Sequence, residues 1–247
     1  MMRGVTKSRL LAQLLEPDTP PRMRMLAIDT ALGACSVAVV ETEGGEARVV
    51  SVPMERGHAE ALMPLVAGAL AAAGGLQTIE RIAVTVGPGS FTGLRVGLAC
   101  ARALALGAKI PVVGVSTLTA LAAPALDSGE GVAPVASAID ARHGRVFFQV
   151  FSGDGRPLVA PRITDARDAA RALGDGPALV VGSGAGLVIA AAENGAAALS
   201  DGPHVAPDPI WIARLGAAGD PETSPPRPLY LKAADAHPSV SGLIARV

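Results

Sequence analysis

Two aspartates, one glycine-rich string and one histidine are the groups in this chain whose type and spacing could support chemistry. Asp29 closes the apolar run Met25-Leu26-Ala27-Ile28, and Asp140 closes Val135-Ala136-Ser137-Ala138-Ile139. A carboxylate at the end of a buried strand can hold Mg²⁺ or orient a water for attack on a phosphoryl group. It can equally hydrogen-bond to the backbone of its own hairpin. Phosphate approach needs a small, glycine-rich turn after the acid. Here the turns are bulky, Thr30-Ala31-Leu32 after Asp29 and Ala141-Arg142-His143 after Asp140, which favours the hairpin role.

The most specific string is Val86-Gly87-Pro88-Gly89-Ser90-Phe91-Thr92-Gly93-Leu94-Arg95. Placed between a strand and a helix, its backbone N–H groups could face an anion at the positive helix end. It is not a Walker loop, because Gly93-Leu94-Arg95 replaces the Gly-Lys-Ser/Thr ending, and its spacing is not a dinucleotide fingerprint. The other use is a tight turn in which Ser90 or Thr92 caps the helix. Gly93, Gly97, Ala101 and Ala105 then recur every four residues along one helix face. Such a face admits a close neighbour, either the sheet of its own lobe or a helix of another chain. Arg95 and Arg102 would flank a contact on the adjoining face. His58 precedes a second helix, but a metal pair at helical spacing would need a histidine where Leu62 stands. Cys35 and Cys100 lie in apolar segments and read as reduced core thiols. No metal set and no nucleophile–base pair can be assembled from spacing.

The elements that must position these groups are repeated. The segment Ala27-Ile28-Asp29-Thr30-Ala31-Leu32-Gly33 returns 111 residues later as Ala138-Ile139-Asp140-Ala141-Arg142-His143-Gly144. Val86-Gly87-Pro88-Gly89 is echoed by Val181-Gly182-Ser183-Gly184 in the same order. Two related lobes facing across a cleft are the expected outcome. The first lobe reads as strands 25–30, 35–41 and 48–53, a helix over 58–73, strand 81–86, a helix over 90–106, strand 111–115 and a helix over 116–123. The second reads as a shortened copy: strands 135–140, 145–151 and a short one near 157–160, helix 165–173, strand 178–182 and a helix after Gly186. A final helix is expected over 207–218. The division is therefore 1–24 as an N-terminal extension, 25–125 and 126–218 as the lobes, and 219–247 as linker and tail. The order of strands and helices predicts an α/β, duplicated ribonuclease-H-like architecture.

With 247 residues, 50% hydrophobic and 17% charged, the chain can build a large core. Its most apolar stretches are interrupted by Pro111 and Pro124 or by the glycines from Gly182 to Gly186, so no membrane span is expected. The net charge of −1 conceals a basic first 24 residues and a mildly acidic body. That body has no basic run, and aromatic residues make up only 2%, a poor composition for holding RNA alone.

At the residues Leu26-Ala27-Ile28-Asp29-Thr30, Gly57-His58-Ala59-Glu60, the Gly87–Arg95 string, Ile139-Asp140-Ala141-Arg142 and Pro228-Leu229-Tyr230-Leu231-Lys232, the chain resembles the TsaB (YeaZ) family. The resemblance implies an actin-like, two-lobed fold and a cytoplasmic accessory subunit for threonylcarbamoyladenosine formation beside the tRNA anticodon, in tRNAs reading codons that begin with A. It implies heterodimerisation with the catalytic subunit TsaD, a further partner in the ATPase TsaE, and tRNA contact only through the complex. It also implies no tightly bound cofactor, with ATP or ADP a candidate at the complex interface, and no metal: TsaD carries a helix-borne histidine pair, and Leu62 opposite His58 fits its loss. The partner surface carried over comprises His58, Leu62, Gly93, Arg95, Gly97, Ala101 and Arg102. Asp29, Thr30, Gly87, Gly89 and Asp140 are the remnants of a nucleotide site. A homodimer of the isolated chain is a further expectation. The alternatives of another class are an ATPase or small-molecule kinase using Asp29 and the two glycine turns, or a peptidase.

Overall fold

The computed structural model describes residues 22–42, 47–128, 133–192, 198–200 and 206–231. Most of the expected N-terminal extension, Lys232, His204 and His237 lie outside them. The first lobe contains β1 (Arg24–Asp29), β2 (Ala34–Glu41), β3 (Ala47–Pro53), α1 (His58–Ala72), β4 (Arg81–Gly87), α2 (Phe91–Ala108), β5 (Val112–Ser116) and α3 (Thr117–Ser128). The second contains β6 (Val135–Asp140), β7 (Arg145–Phe151), β8 (Pro157–Asp165), α4 (Ala166–Leu173), β9 (Ala178–Val181), α5 (Ala185–Ala191) and β10 (Ala198–Ser200). The helix α6 (Pro209–Ala218) follows.

The two sheets have the same plan. Their orders are β3-β2-β1-β4-β5 and β10-β9-β6-β7-β8, so β6 takes the place of β1 at the centre. In each, the first three strands are antiparallel and the last two join in parallel. The aspartate ends the central strand in both lobes, and Gly87 and Gly182 occupy matching positions with φ of 107° and 101°. This is the duplicated plan expected from the repeat, and it agrees with the actin-like, two-lobed fold that the resemblance implies. The second lobe is not shortened in strand number, however: β8 runs nine residues and β10 adds an edge. The β8 estimate fell short because Pro161 interrupts an otherwise alternating stretch. Similarly, α3 continues through Pro124 to Ser128.

Both faces of β1 are covered, which explains its unbroken apolar run. Leu26 and Ile28 face a core with Leu62, Val66 and Leu70 of α1 and Leu98 and Ala101 of α2. Met25 and Ala27 face a second core with Leu118 and Leu121 of α3 and Ile212 and Leu215 of α6. That second core also takes in Val135, Ile139 and Phe151 of the other sheet, so α3 and α6 join the lobes. Thus α6, although last in sequence, serves the first sheet as well. It approaches so closely that a Cβ on Gly216 would lie 2.4 Å from Ala83 Cβ.

Among the described helices, α2 is long and apolar enough to cross a membrane by length and composition. Here its Leu94, Leu98, Ala101 and Ala105 face is buried in the first lobe.

Arg81 fixes the end of α6. Its Nη1 donates to the carbonyls of Gly216, Ala217 and Gly219 at 3.1, 3.0 and 2.9 Å. These are groups that a helix C-terminus leaves without intrahelical partners. Arg81→Ala is expected to lower unfolding stability by about 1–3 kcal/mol, the range for hydrogen bonds to a charged donor. Urea denaturation would show a lower midpoint at unchanged m; an unmoved midpoint would contradict the capping role.

Candidate functional site

The residues singled out by sequence converge where the β1–β2 turn meets the start of α2. Ser90 caps α2, its hydroxyl accepting the Gly93 N–H at 3.2 Å. Its own N–H, which an anion cradle would turn toward a phosphate, donates instead to the carbonyl of Ala31 at 2.7 Å. Thr30 Oγ1 donates to the carbonyl of Gly93 at 2.7 Å. These contacts require bare backbone. A Cβ on Gly89 would lie 2.3 Å from Ala31 O, one on Gly93 2.0 Å from Thr30 O, and one on Gly97 2.4 Å from Thr30 Oγ1. The glycines of the string are therefore spent on admitting the chain's own hairpin turn.

Asp29 lies beneath that turn, fully buried. Its Oδ1 accepts the Thr85 hydroxyl at 2.6 Å and the Ala31 N–H at 3.1 Å. Its Oδ2 is buried without a partner. Burial pushes the Asp29 carboxyl from 3.8 up to about 6, against the opposing pull of the Thr85 hydroxyl, the Ala31 N–H and the charge of His58. His58, itself buried, holds the other side of the turn, its Nε2–H donating to the Leu32 carbonyl at 3.2 Å. A magnesium-bound triphosphate does not fit these residues: the carboxylate has no exposed atom, and Ala31 O fills the space before the Ser90 amide. Asp140, by contrast, is exposed, with Oδ1 accepting the Arg142 N–H at 2.7 Å. Its own N–H donates to Ser183 Oγ at 3.2 Å.

Between the lobes lies a cleft of about 650 Å³, lined by the β1–β2 turn, Glu55, Arg56 and Pro88–Phe91 on one side. Ile139–Arg142, Phe147 and Ser183 line the other, and Leu229–Leu231 complete the lining. Among the described residues no cluster of three or more His, Cys, Asp or Glu side chains could hold a metal. Burial raises the thiol of Cys35 to about 11 and that of Cys100 in the same direction, which keeps both protonated at neutral pH.

The expected partner contacts need correction. Gly93, Gly97 and Ala101 face inward, against Thr30, Val84 and the first-lobe core, and offer nothing to another chain. His58 and Leu62 are likewise buried. Of the seven, only Arg95 and Arg102 are exposed. Arg95 lies 3.7 Å over the Phe91 ring, and Arg102 donates to the carbonyl of Pro226. Beside these two arginines the outward faces carry small and apolar residues: Met63, Ala67, Gly68 and Ala71 on α1, with Ala99, Ala103 and Leu106 on α2. The signal that could have found this is helical position. At 100° per residue, Arg95 and Arg102 lie opposite Gly97, so the charged side marks the exterior.

Comparison with known proteins supplies the remaining observation. The family model for TsaD, tRNA N6-adenosine threonylcarbamoyltransferase, matches residues 44–190. The Escherichia coli tRNA threonylcarbamoyladenosine biosynthesis protein TsaB is 43% identical over 133 residues, 53% of this chain and 56% of that protein. YeaZ from Pseudomonas aeruginosa superposes with a TM-score of 0.71 at 29% identity, covering 85% of this chain and all of that one. The chain belongs to the TsaB (YeaZ) family. An uncharacterized Mycobacterium tuberculosis protein, 36% identical, is matched over 87% of this chain and 94% of its own length. The chain spans only about half the length of the first curated relatives, 56% of the E. coli protein and 52% of the Haemophilus influenzae one.

Two outcomes follow for this TsaB-family site. Gly97→Leu, which must displace Thr30, is expected to destabilise the isolated chain by about 3 kcal/mol or more through overpacking; a thermal midpoint equal to wild type would contradict the inward placement. The Asp29 carboxyl has a raised folded-state pKa, so its favourable contribution is complete below 3.8 and is lost as pH rises toward 6. At 1.36 kcal/mol per unit the loss is about 3 kcal/mol. Denaturation across that window should show stability falling with pH, and Asp29→Asn should flatten this slope. An unchanged slope in the variant would assign the titration elsewhere.

Proposed function

We propose that this chain is a non-catalytic pairing subunit for threonylcarbamoyladenosine formation on tRNA, acting as a heterodimer with TsaD. Its relatives' names supply the process: the E. coli, H. influenzae and Bacillus subtilis proteins are each called tRNA threonylcarbamoyladenosine biosynthesis protein TsaB. The observation that carries the subunit reading is the joint outer face of α1 and α2. Met63 is 52% and Leu106 83% exposed, and Ala67, Ala99 and Ala103 are exposed on the same two helices. A packed pair of helices exposing small and apolar side chains, with Arg95 and Arg102 on the same side of α2, is suited to burying that surface against a related helix pair. The polar groups in the first-lobe turn, meanwhile, are consumed in holding it closed, which leaves no assembled catalytic set there.

A pairing subunit affects the reaction by binding one state of its partner better than another, since only a differential affinity shifts an equilibrium. TsaE and a nucleotide belong to this reading as components of the assembled complex, and tRNA enters through that complex. Cytoplasmic placement follows from the same process.

The test separates docking from folding. Ala103→Glu and Leu106→Asp sit on the exterior of α2, so each is expected to leave the thermal midpoint within about 2–4 °C of wild type, the shift for 1 kcal/mol in a chain of this size. Each should weaken co-elution with TsaD by at least about tenfold, as burial of an unpaired charge does. Co-elution of the double variant at wild-type strength would remove this face from the assembly.

A further inference from the structure

The composition of the chain, with four Phe, one Tyr and one Trp, argues against nucleic-acid stacking when averaged over its length. The fold concentrates those rings. Phe91, Phe147 and Tyr230 line the interlobe cleft, and Phe91 and Tyr230 are 39% and 45% exposed at its mouth. Their centroids are 5.2 Å apart with planes inclined at 38°, and Arg95 covers part of the Phe91 ring at 3.7 Å. Buried aromatic residues serve packing; a half-exposed pair at the edge of a 650 Å³ cleft leaves ring surface open to a flat ligand.

Cations come to the same place from both lobes. Arg56 lies on the first-lobe wall and Arg142 on the second, and among the described residues neither guanidinium has a hydrogen bond or ion pair. Arg142 stands in a left-handed conformation at φ 67°, followed by His143 at 56°. Two successive non-glycine residues in that region carry a backbone cost, which tends to persist where a side chain must be aimed. Glu55 and Asp140 also line the cleft, so its charge is balanced and not broadly basic. That pattern suits a few phosphate contacts, with the carboxylates available to accept from base amino groups or ribose hydroxyls.

We infer that the mouth of the interlobe cleft is a contact site for single-stranded RNA, with a base stacked on Phe91 and Tyr230 and phosphates met by Arg56, Arg95 and Arg142. The inference rests on the proposed role in tRNA modification and adds a direct contact by this subunit. The filled first-lobe turn does not interfere, because the site lies outside it, between the lobes. The C-terminal segment contributes by position: Leu229 N–H donates to the Val86 carbonyl at 2.7 Å, which sets Tyr230 beside Phe91. Unpaired nucleotides are favoured over a duplex because only an unstacked base can present its face to a ring.

The test uses fluorescence anisotropy of a labelled RNA hairpin with an unpaired loop, the same strand annealed to its full complement, and free AMP as competitor. Each is measured with the full chain mixed with TsaD and with TsaD alone. The expected result is tighter binding of the looped RNA than of the duplex. Tyr230→Ala should weaken it by about five- to tenfold or more, the range for losing one stacked base, while Tyr230→Phe retains it. Arg56→Ala with Arg142→Ala should reduce the slope of log K against log salt by about 1–2. Equal affinities for wild type and all variants, competition by AMP as strong as by RNA, or preference for the duplex would each overturn the inference. Co-elution with TsaD measured on the same variants distinguishes its failure from failure of the pairing role, which these residues do not serve.

Discussion

The carbonyl of Ala31, seated against the first free amide of α2, is the contact on which the rest of the first lobe depends. A helix N-terminus offers N–H groups that need partners, and in related plans a phosphate can serve. Here the partner is covalently part of the protein. Three positions without side chains, Gly89, Gly93 and Gly97, bring the turn to hydrogen-bonding distance, and Thr30 returns a hydroxyl to the Gly93 carbonyl. A larger residue at any of them must push the hairpin off the helix. The cost of closure appears beneath it, where Asp29 has lost water and one of its oxygens has no partner.

Closure also determines which side of α2 is left for other uses. With Gly97 and Ala101 pressed onto the turn and sheet, the opposite side carries Ala99, Ala103 and Leu106 outward, beside Met63 and Ala67 of α1. The same geometry that removes a phosphate site thus turns these small and apolar side chains outward on two adjacent helices, beside Arg95 and Arg102. The second lobe has gone another way. Asp140 and Ser183 remain at the cleft surface with Arg142, whose backbone has φ 67°, opposite Glu55, Arg56 and Ser90 of the first lobe. Because α3 and α6 share a core with both sheets, the two walls of the cleft are held by common packing rather than by a loose linker.

Much of this was legible before the fold was known. The 111-residue echo placed Asp29 and Asp140 at matching strand ends, and the two sheets repeat one order around them. The bulky Thr30-Ala31-Leu32 turn argued against phosphate, and Ser90 emerged as the cap its position suggested. What spacing could not supply was direction. A four-residue period says that Gly93, Gly97 and Ala101 share a face, but not whether sheet or solvent lies on it; the two arginines opposite held that information. The aromatic residues failed as a signal for a different reason. Phe91, Phe147 and Tyr230 are far apart in sequence, and only the duplicated fold and the returning C-terminal segment bring them to one cleft. Family resemblance, in turn, pointed to two helices but not to the side chains those helices leave exposed.

Membership of the TsaB family, a filled first-lobe pocket and exposed small and apolar side chains on two adjacent helices are the observations from which the proposed pairing role is argued. Isothermal titration calorimetry of the isolated chain with ATP and Mg²⁺ addresses the filled pocket most directly. The turn geometry predicts no saturable heat, because the Ser90 amide and the Asp29 carboxyl are already committed within the chain. Stoichiometric binding that disappears in Asp29→Asn would contradict it, for it would mean that the hairpin opens and the carboxylate still holds a metal-bound triphosphate.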